Sequence, residues 1–270
     1  MAAVRAAIHH GLRTRVRRPF VLGICGAQGS GKTTLARHIV RSCEAEGIAA
    51  ATLSLDDLYL TRKQREELAV SVHPLLRTRG VPGTHDTELG LRLLASMERG
   101  EAVVLPRFDK AADDRLPESA WNVVPAGCEL LVLEGWCVGA RPQEAVELSV
   151  PINALERRED PDGAWRRHVN DALAGDYQRL FARIDCLVLL AAPGFEAVFD
   201  WRMQQEAELR NRSAPDAPGL MNADGIARFI QHYERLTRHI LAEMPARADI
   251  TVRLDMGRGV VALEGNTNIR

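Results

Sequence analysis

Apolar residues fall in short dense runs along the chain. Pro19-Phe20-Val21-Leu22-Gly23-Ile24-Cys25, Ala50-Ala51-Thr52-Leu53-Ser54-Leu55, Glu129-Leu130-Leu131-Val132-Leu133 and Ile184-Asp185-Cys186-Leu187-Val188-Leu189-Leu190-Ala191 read as buried strands. Between them the period changes. Leu35, Ile39 and Val40 share one helical face, with Arg37, His38 and Arg41 interspersed. Leu89 to Met97 predicts a helix stopping at Gly100, and 62–80 a charged helix followed by a loop. Residues 141–180 are polar and mostly helical in pattern. Pro193 is expected to open a helix running to about Arg212. Ser213 to Gly219, with two prolines and a glycine, predicts a loop, and Asn222 to Met244 a long amphipathic helix capped by Asn222. Glu101 to Leu105 is a short strand; Ile250–Leu254 and Val260–Leu263 predict a hairpin around Gly257 and Gly259. Strands alternating with helices are an α/β pattern. No repeat, low-complexity tract or linker interrupts it, so 1–270 is expected to be a single domain. Residues 1–18 carry five arginines and no acid. A removable targeting segment and a surface helix both fit; the helix is expected, because the first strand follows at once.

One stretch carries chemistry outright. Gly26-Ala27-Gln28-Gly29-Ser30-Gly31-Lys32-Thr33 fits G-x-x-x-x-G-K-[ST], between an apolar strand and an amphipathic helix, and Thr34 continues it. Glycines let backbone N–H groups turn inward around a phosphate, and a helix N-terminus adds its unpaired donors and positive dipole end. Lys32 would reach the β- and γ-phosphates and the Thr33 hydroxyl would bind Mg²⁺. The implied ligands are ATP and Mg²⁺. About 100 residues on, an apolar run ends in Glu134-Gly135-Trp136. An acid at such a strand end would hold the metal or its water.

Other segments are candidates for the rest of a site. Asp56-Asp57-Leu58-Tyr59 follows the second strand, where ligands of an open α/β sheet bind. That carboxylate pair suits a metal or a general base, and equally a helix N-cap. Arg79-Gly80-Val81-Pro82-Gly83-Thr84-His85-Asp86 is a turn-rich loop gathering three polar side chains. Pro106-Arg107-Phe108-Asp109-Lys110 is dense in opposite charges, which fits a solvated loop or a polar substrate pocket.

Composition narrows the classes. Net charge is −1, which gives no support to a nucleic-acid binder, and no apolar run approaches the roughly 20 residues that span a bilayer. Five cysteines without metal-ligand spacing point to a reducing cytoplasm. Only three of 35 basic residues are lysine (Lys32, Lys63 and Lys110), so an arginine-rich chain has kept a compact ammonium in the glycine loop.

Taken together, Gly26–Thr33, Ser54–Tyr59, Arg79–Asp86, Leu105–Lys110 and Leu133–Trp136 resemble the P-loop D-glycerate 3-kinases of plants, cyanobacteria and fungi. These are relatives of uridine kinase, phosphoribulokinase and pantothenate kinase. The resemblance spans about 19–255. It implies a P-loop NTPase fold with a doubly wound, mostly parallel sheet and helices on both faces. It also implies ATP with Mg²⁺ and a small acceptor, here a hydroxy acid. On it, Lys32, Asp56 and Glu134 are the catalytic candidates, with Asp56 the base; Thr33, Asp56 and Glu134 are the metal candidates. Asp57, Tyr59, Arg79, His85, Asp86, Arg107, Asp109 and Lys110 are the substrate-binding candidates. Arg202 falls near the lid arginines of such kinases, making 193–220 a candidate lid. Leu58 stands where these kinases carry phenylalanine, and 111–120 lacks the glycine-rich run of the plant enzymes. A related kinase acting on a nucleoside, sugar phosphate or pantothenate, or a nucleotide-binding switch or ATPase, are the alternatives. Oligomeric state is not legible.

Overall fold

The computed structural model describes residues 2–14, 18–212 and 222–265, with the side chains of 205 and 208–212 excepted. The expected loop at 213–219 and the later part of the candidate lid lie outside the described residues. The chain runs α1 (Ala2–Thr14), β1 (Phe20–Gly26), α2 (Lys32–Ala45), β2 (Ala50–Ser54), α3 (Arg62–Ser71), α4 (Thr87–Glu98), β3 (Val103–Leu105), β4 (Phe108–Asp109), β5 (Asp114–Arg115), β6 (Asn122–Val124), β7 (Leu130–Gly135), α5 (Ala154–Glu159), α6 (Ala164–Ala172), α7 (Gln178–Phe181), β8 (Cys186–Ala191), α8 (Glu196–Arg212), α9 (Ala223–Glu243), β9 (Ile250–Leu254) and β10 (Val260–Gly265).

Six strands form the main sheet in the order β10-β9-β8-β1-β7-β2, all parallel except the edge strand β10. Both faces are covered, which is why β1, β7 and β8 are buried at every position, with apolar residues in unbroken runs rather than alternating. Phe20, Leu22 and Ile24 pack with Val4 and Ile8 of α1, Ile39 of α2 and Trp201 of α8. Val21 and Cys25 point the other way, into a core with Leu94 of α4, Leu180 of α7 and Ile240 of α9. The sheet is therefore doubly wound about β1.

Register decides what meets at the carboxyl edge. Glu134 lies level with Ile24 of β1 on one side and Ser54 of β2 on the other. Residues 103–124 fold into two small antiparallel pairs, β3 with β6 and β4 with β5, beside that edge. Arg65, only 1% exposed, ties this segment down by donating to the carbonyls of Leu60, Arg77 and Asp113 at 3.2, 2.8 and 2.7 Å.

One boundary differs from expectation. α8 begins at Glu196, not Pro193, because Pro193-Gly194 makes the turn out of β8 and Val198 N–H closes on the Phe195 carbonyl first. No described helix is long and apolar enough to cross a membrane.

Candidate active site

The glycine loop joins β1 to α2 with Gly29 at φ +79° and Gly31 at φ +90°, the left-handed region that glycine enters without a Cβ penalty. Its back is packed: a Cβ on Gly29 would lie 2.5 Å from the Trp201 Cβ. Its front is open, since a Cβ on Gly31 would meet nothing within 4 Å. Gly31 is the N-cap of α2 and offers no side-chain acceptor, so the first-turn N–H groups remain for an anion. Ser30 Oγ and Gln28 Oε1 are buried without partners.

Thr33 Oγ1 donates to Glu134 Oε1 at 2.9 Å. Glu134 is 2% exposed and its Oε2 is buried with no partner. A buried carboxylate with one empty oxygen, beside a hydroxyl, suits a hard cation. Among the described residues no cluster of three or more His, Cys, Asp or Glu could hold a metal by itself. Mg²⁺ is commonly held by one or two carboxylates together with substrate phosphates and water, and Glu134 beside Thr33 offers one such carboxylate. The residues present fit the ion.

Asp56 sits at the end of β2 in the 3-10 turn Leu55–Leu58. It is not the cap of that turn. Ser54 is, accepting from Asp56 N–H. The Asp56 carboxylate takes a hydrogen bond from Tyr59 Oη at 2.7 Å and pairs with Lys110 Nζ at 2.6 Å. Burial pushes its pKa up, but the charges of Lys110 and Lys32, with the bonds from Lys110 and Tyr59, outweigh burial and hold it well below the usual carboxylate range. Asp56 reciprocally raises the Lys110 ammonium. Asp57 is raised by burial, although its Oδ1 accepts from Phe108 N–H at 3.0 Å.

A cleft of about 800 Å³ opens over these groups, lined by Thr33, Glu134, Asp56, Asp57, Arg107 and Lys110 among others. Arg37 and Arg41 also line it and were missed as site residues. The signal was available: Thr33, Arg37, Arg41 and Glu44 recur at helical spacing and share one face of α2.

The other sequence candidates lie as follows. Asp86 is the N-cap of α4, accepting from Leu89 N–H at 2.9 Å, and pairs with Arg115 at 3.3 Å. Both of its oxygens are engaged within the fold. His85 is no cation: burial lowers its pKa to about 3. Its Nδ1 is hydrogen-bonded to Tyr177 Oη at 2.5 Å, and that hydroxyl also accepts from Gly83 N–H at 3.0 Å, so the ring is held in the fold. Asp109 borders the cleft, but its Oδ1 accepts from the N–H groups of Ala111 at 2.8 Å and Ala112 at 3.3 Å, which shapes the turn. Tyr59 is 4% exposed and holds Asp56 from behind. Arg79 pairs with Asp113 and lies over the Phe108 ring, 5.6 Å from its centroid. Arg202 pairs with Glu206 at 2.9 Å on α8, over Phe229.

Comparison with known proteins agrees with this fold. The model of the phosphoribulokinase/uridine kinase family matches residues 21–150. An uncharacterised kinase of Schizosaccharomyces pombe, mug58, is 37% identical over 227 residues, covering 80% of this chain and 79% of that protein. The chloroplastic D-glycerate 3-kinase of Arabidopsis thaliana is 28% identical over 241 residues, 86% of this chain. This chain spans half the length of that plant protein. A D-glycerate 3-kinase from Cryptococcus neoformans superposes with a TM-score of 0.78 at 24% identity, covering 98% of this chain and 97% of that one, a likeness of fold.

Proposed function

The chain belongs to the phosphoribulokinase/uridine kinase family, and on that premise we propose that it transfers the γ-phosphoryl group of ATP to the 3-hydroxyl of D-glycerate, using Mg²⁺. One observation carries the reading: the Thr33–Glu134 pair and the Asp56–Lys110 pair line the same cleft beside the open face of the glycine loop. The names of the plant relative and the fungal structure support glycerate as the acceptor.

Catalysis of this kind is mostly positioning and charge neutralisation. The loop N–H groups and Lys32 bind the phosphates. Thr33 and Glu134 would hold Mg²⁺, which when bound neutralises charge on the β- and γ-phosphates. Asp56 accepts the proton of the attacking hydroxyl. An ammonium at 2.6 Å makes its carboxylate a weak base, so Lys110 has to leave it for another anion before the proton moves. An acceptor carboxylate is such an anion, and Arg107, about half exposed in the cleft and 3.9 Å from Asp57, is placed to take it as a bidentate partner. Phosphates are already served by the loop, so positive charge at Arg107 and Lys110 favours a hydroxy acid over a neutral alcohol.

A reducing compartment, the cytoplasm, is the matching proposal, since Cys25, Cys43, Cys128 and Cys137 are buried thiols in no disulfide. We also take the chain as one kinase domain. The test is ADP release by the purified protein with ATP and Mg²⁺, with D-glycerate, glycerol, uridine and pantothenate as acceptors. Turnover with D-glycerate and little with glycerol is expected, because a site built for a carboxylate rejects an analogue lacking it. Faster turnover with glycerol or a nucleoside would overturn the acceptor assignment. Steady hydrolysis indifferent to every acceptor would favour an ATPase or switch.

A further inference from the structure

The turn between β9 and β10 lies outside the span matched by the family model and outside every site residue described so far. Arg258 is at its centre with φ +68°. Left-handed backbone costs a side chain-bearing residue about 1 kcal/mol, and glycines stand on both sides of this one. The turn does not need the arginine side chain. Asp255 N–H donates to the Gly259 carbonyl at 2.9 Å, Arg258 N–H to the Asp255 carbonyl at 3.0 Å, and Gly259 N–H to Asp255 Oδ1 at 2.7 Å.

What that side chain does lies elsewhere. It crosses the Trp201 ring, with the guanidinium carbon 5.4 Å from the ring centroid, and its Nε donates to the Gly29 carbonyl at 2.6 Å. Gly29 is the residue whose missing Cβ lets the glycine loop rest on Trp201. Trp201 is itself fixed by a bond from its Nε1 to the Met256 carbonyl at 2.8 Å. The back of the loop is thus gripped by Trp201 beneath and Arg258 at its carbonyl. A peptide plane carries its C=O and N–H in opposite directions. With the Gly29 carbonyl held by Arg258, the Ser30 N–H of the same plane faces away from it and closes on the Ala27 carbonyl at 3.1 Å.

We infer that Arg258 is a positioning residue for nucleotide binding: through Gly29 it holds the phosphate loop in shape before ATP arrives. Ordering a loop on binding subtracts from affinity, and a loop ordered in advance avoids that cost. The inference rests on the proposed ATP binding at the loop.

Arg258→Gly and Arg258→Asn test it, since both residues tolerate left-handed backbone and neither reaches Gly29. Calorimetric ATP binding and steady-state kinetics are read beside the melting temperature without nucleotide. Expected is an increase of about tenfold in Kd and KM for ATP, an unchanged KM for the acceptor, and a nucleotide-free melting temperature equal to or above wild type. Arg258→Lys, which restores a donor of similar length, should recover part of the affinity. Arg253→Ala, on the same hairpin and paired with Glu264 at 2.6 Å, should leave ATP binding unchanged. Wild-type affinity in both Gly and Asn variants would overturn the inference. So would a lowered melting temperature with unaltered affinity, which would make Arg258 a structural brace. Failure of the wild-type protein to bind ATP would instead overturn the functional reading.

Discussion

Replacing Asp56 with asparagine separates chemistry from folding at one atom. The Tyr59 hydroxyl keeps an acceptor, because the amide oxygen can stand where Oδ1 stands, so that buried donor is not stranded. The lost partner is Lys110, whose side chain is 56% exposed against 21% for Asp56. With the ammonium more than half exposed and only the carboxylate sheltered, the pair contributes about 1 kcal/mol. For a chain of this size that shifts the melting temperature by about 2–4 °C. The turn itself is capped by Ser54 and is untouched. Removal of a general base, by contrast, lowers the rate by about 10²–10⁴, or about 3–5 kcal/mol of barrier. The expected result is a kcat reduced at least a hundredfold, a KM for ATP within about threefold of wild type, and a small change in melting temperature. A coupled ADP assay and thermal unfolding on the same preparation read all three. A kcat within a few-fold of wild type would refute the base assignment, whatever happens to stability.

Three further outcomes follow from particular contacts. Lys32→Ala should abolish phosphoryl transfer and the rise in melting temperature on adding ATP, with the nucleotide-free melting temperature unchanged; near-normal turnover would remove the phosphate-loop assignment. Arg65→Met should cost about 3–5 kcal/mol by urea unfolding, because it strands the Leu60, Arg77 and Asp113 carbonyls and breaks a 3.0 Å pair with Asp113; a loss below 1 kcal/mol would contradict its role as anchor. His85 and His232 are buried and lowered, chiefly by burial, to about 3 and about 4. The unfolded chain takes up their protons below about pH 6.5 while the folded chain does not, so their contribution is complete above that pH and is lost as pH falls towards the folded values. Between pH 7 and pH 5 the loss is about 2 kcal/mol per histidine. His232→Gln should flatten the profile measured by urea unfolding, and equal wild-type stability at the two pH values would exclude the mechanism.

The glycine loop was legible because its chemistry is local: strand, glycines, lysine and helix are contiguous, and each residue type has one physical reason. The buried strands were legible for a similar reason, since a sheet covered on both faces demands unbroken apolar runs such as Leu130–Leu133. Glu134 could be assigned from the end of such a run, but only the register of β7 against β1 and β2 brought it to Thr33. Charge in the loops was the ambiguous signal. Asp86, His85 and Asp109 look like ligands in a list of residues, yet a carboxylate can cap a helix or a turn as well as bind a substrate, and a histidine loses its charge when buried. Which of these happens depends on what packs against the loop. The same holds for Lys110, whose place on Asp56 joins residues 54 apart. It holds most of all for Arg258, whose bond to Gly29 spans 229 residues. Composition and periodicity determine which segments become strands and helices, because burial and hydrogen bonding act within a few residues. The partners of an individual charge are set across the sheet edge, where elements distant in sequence meet, and only the tertiary structure decides them.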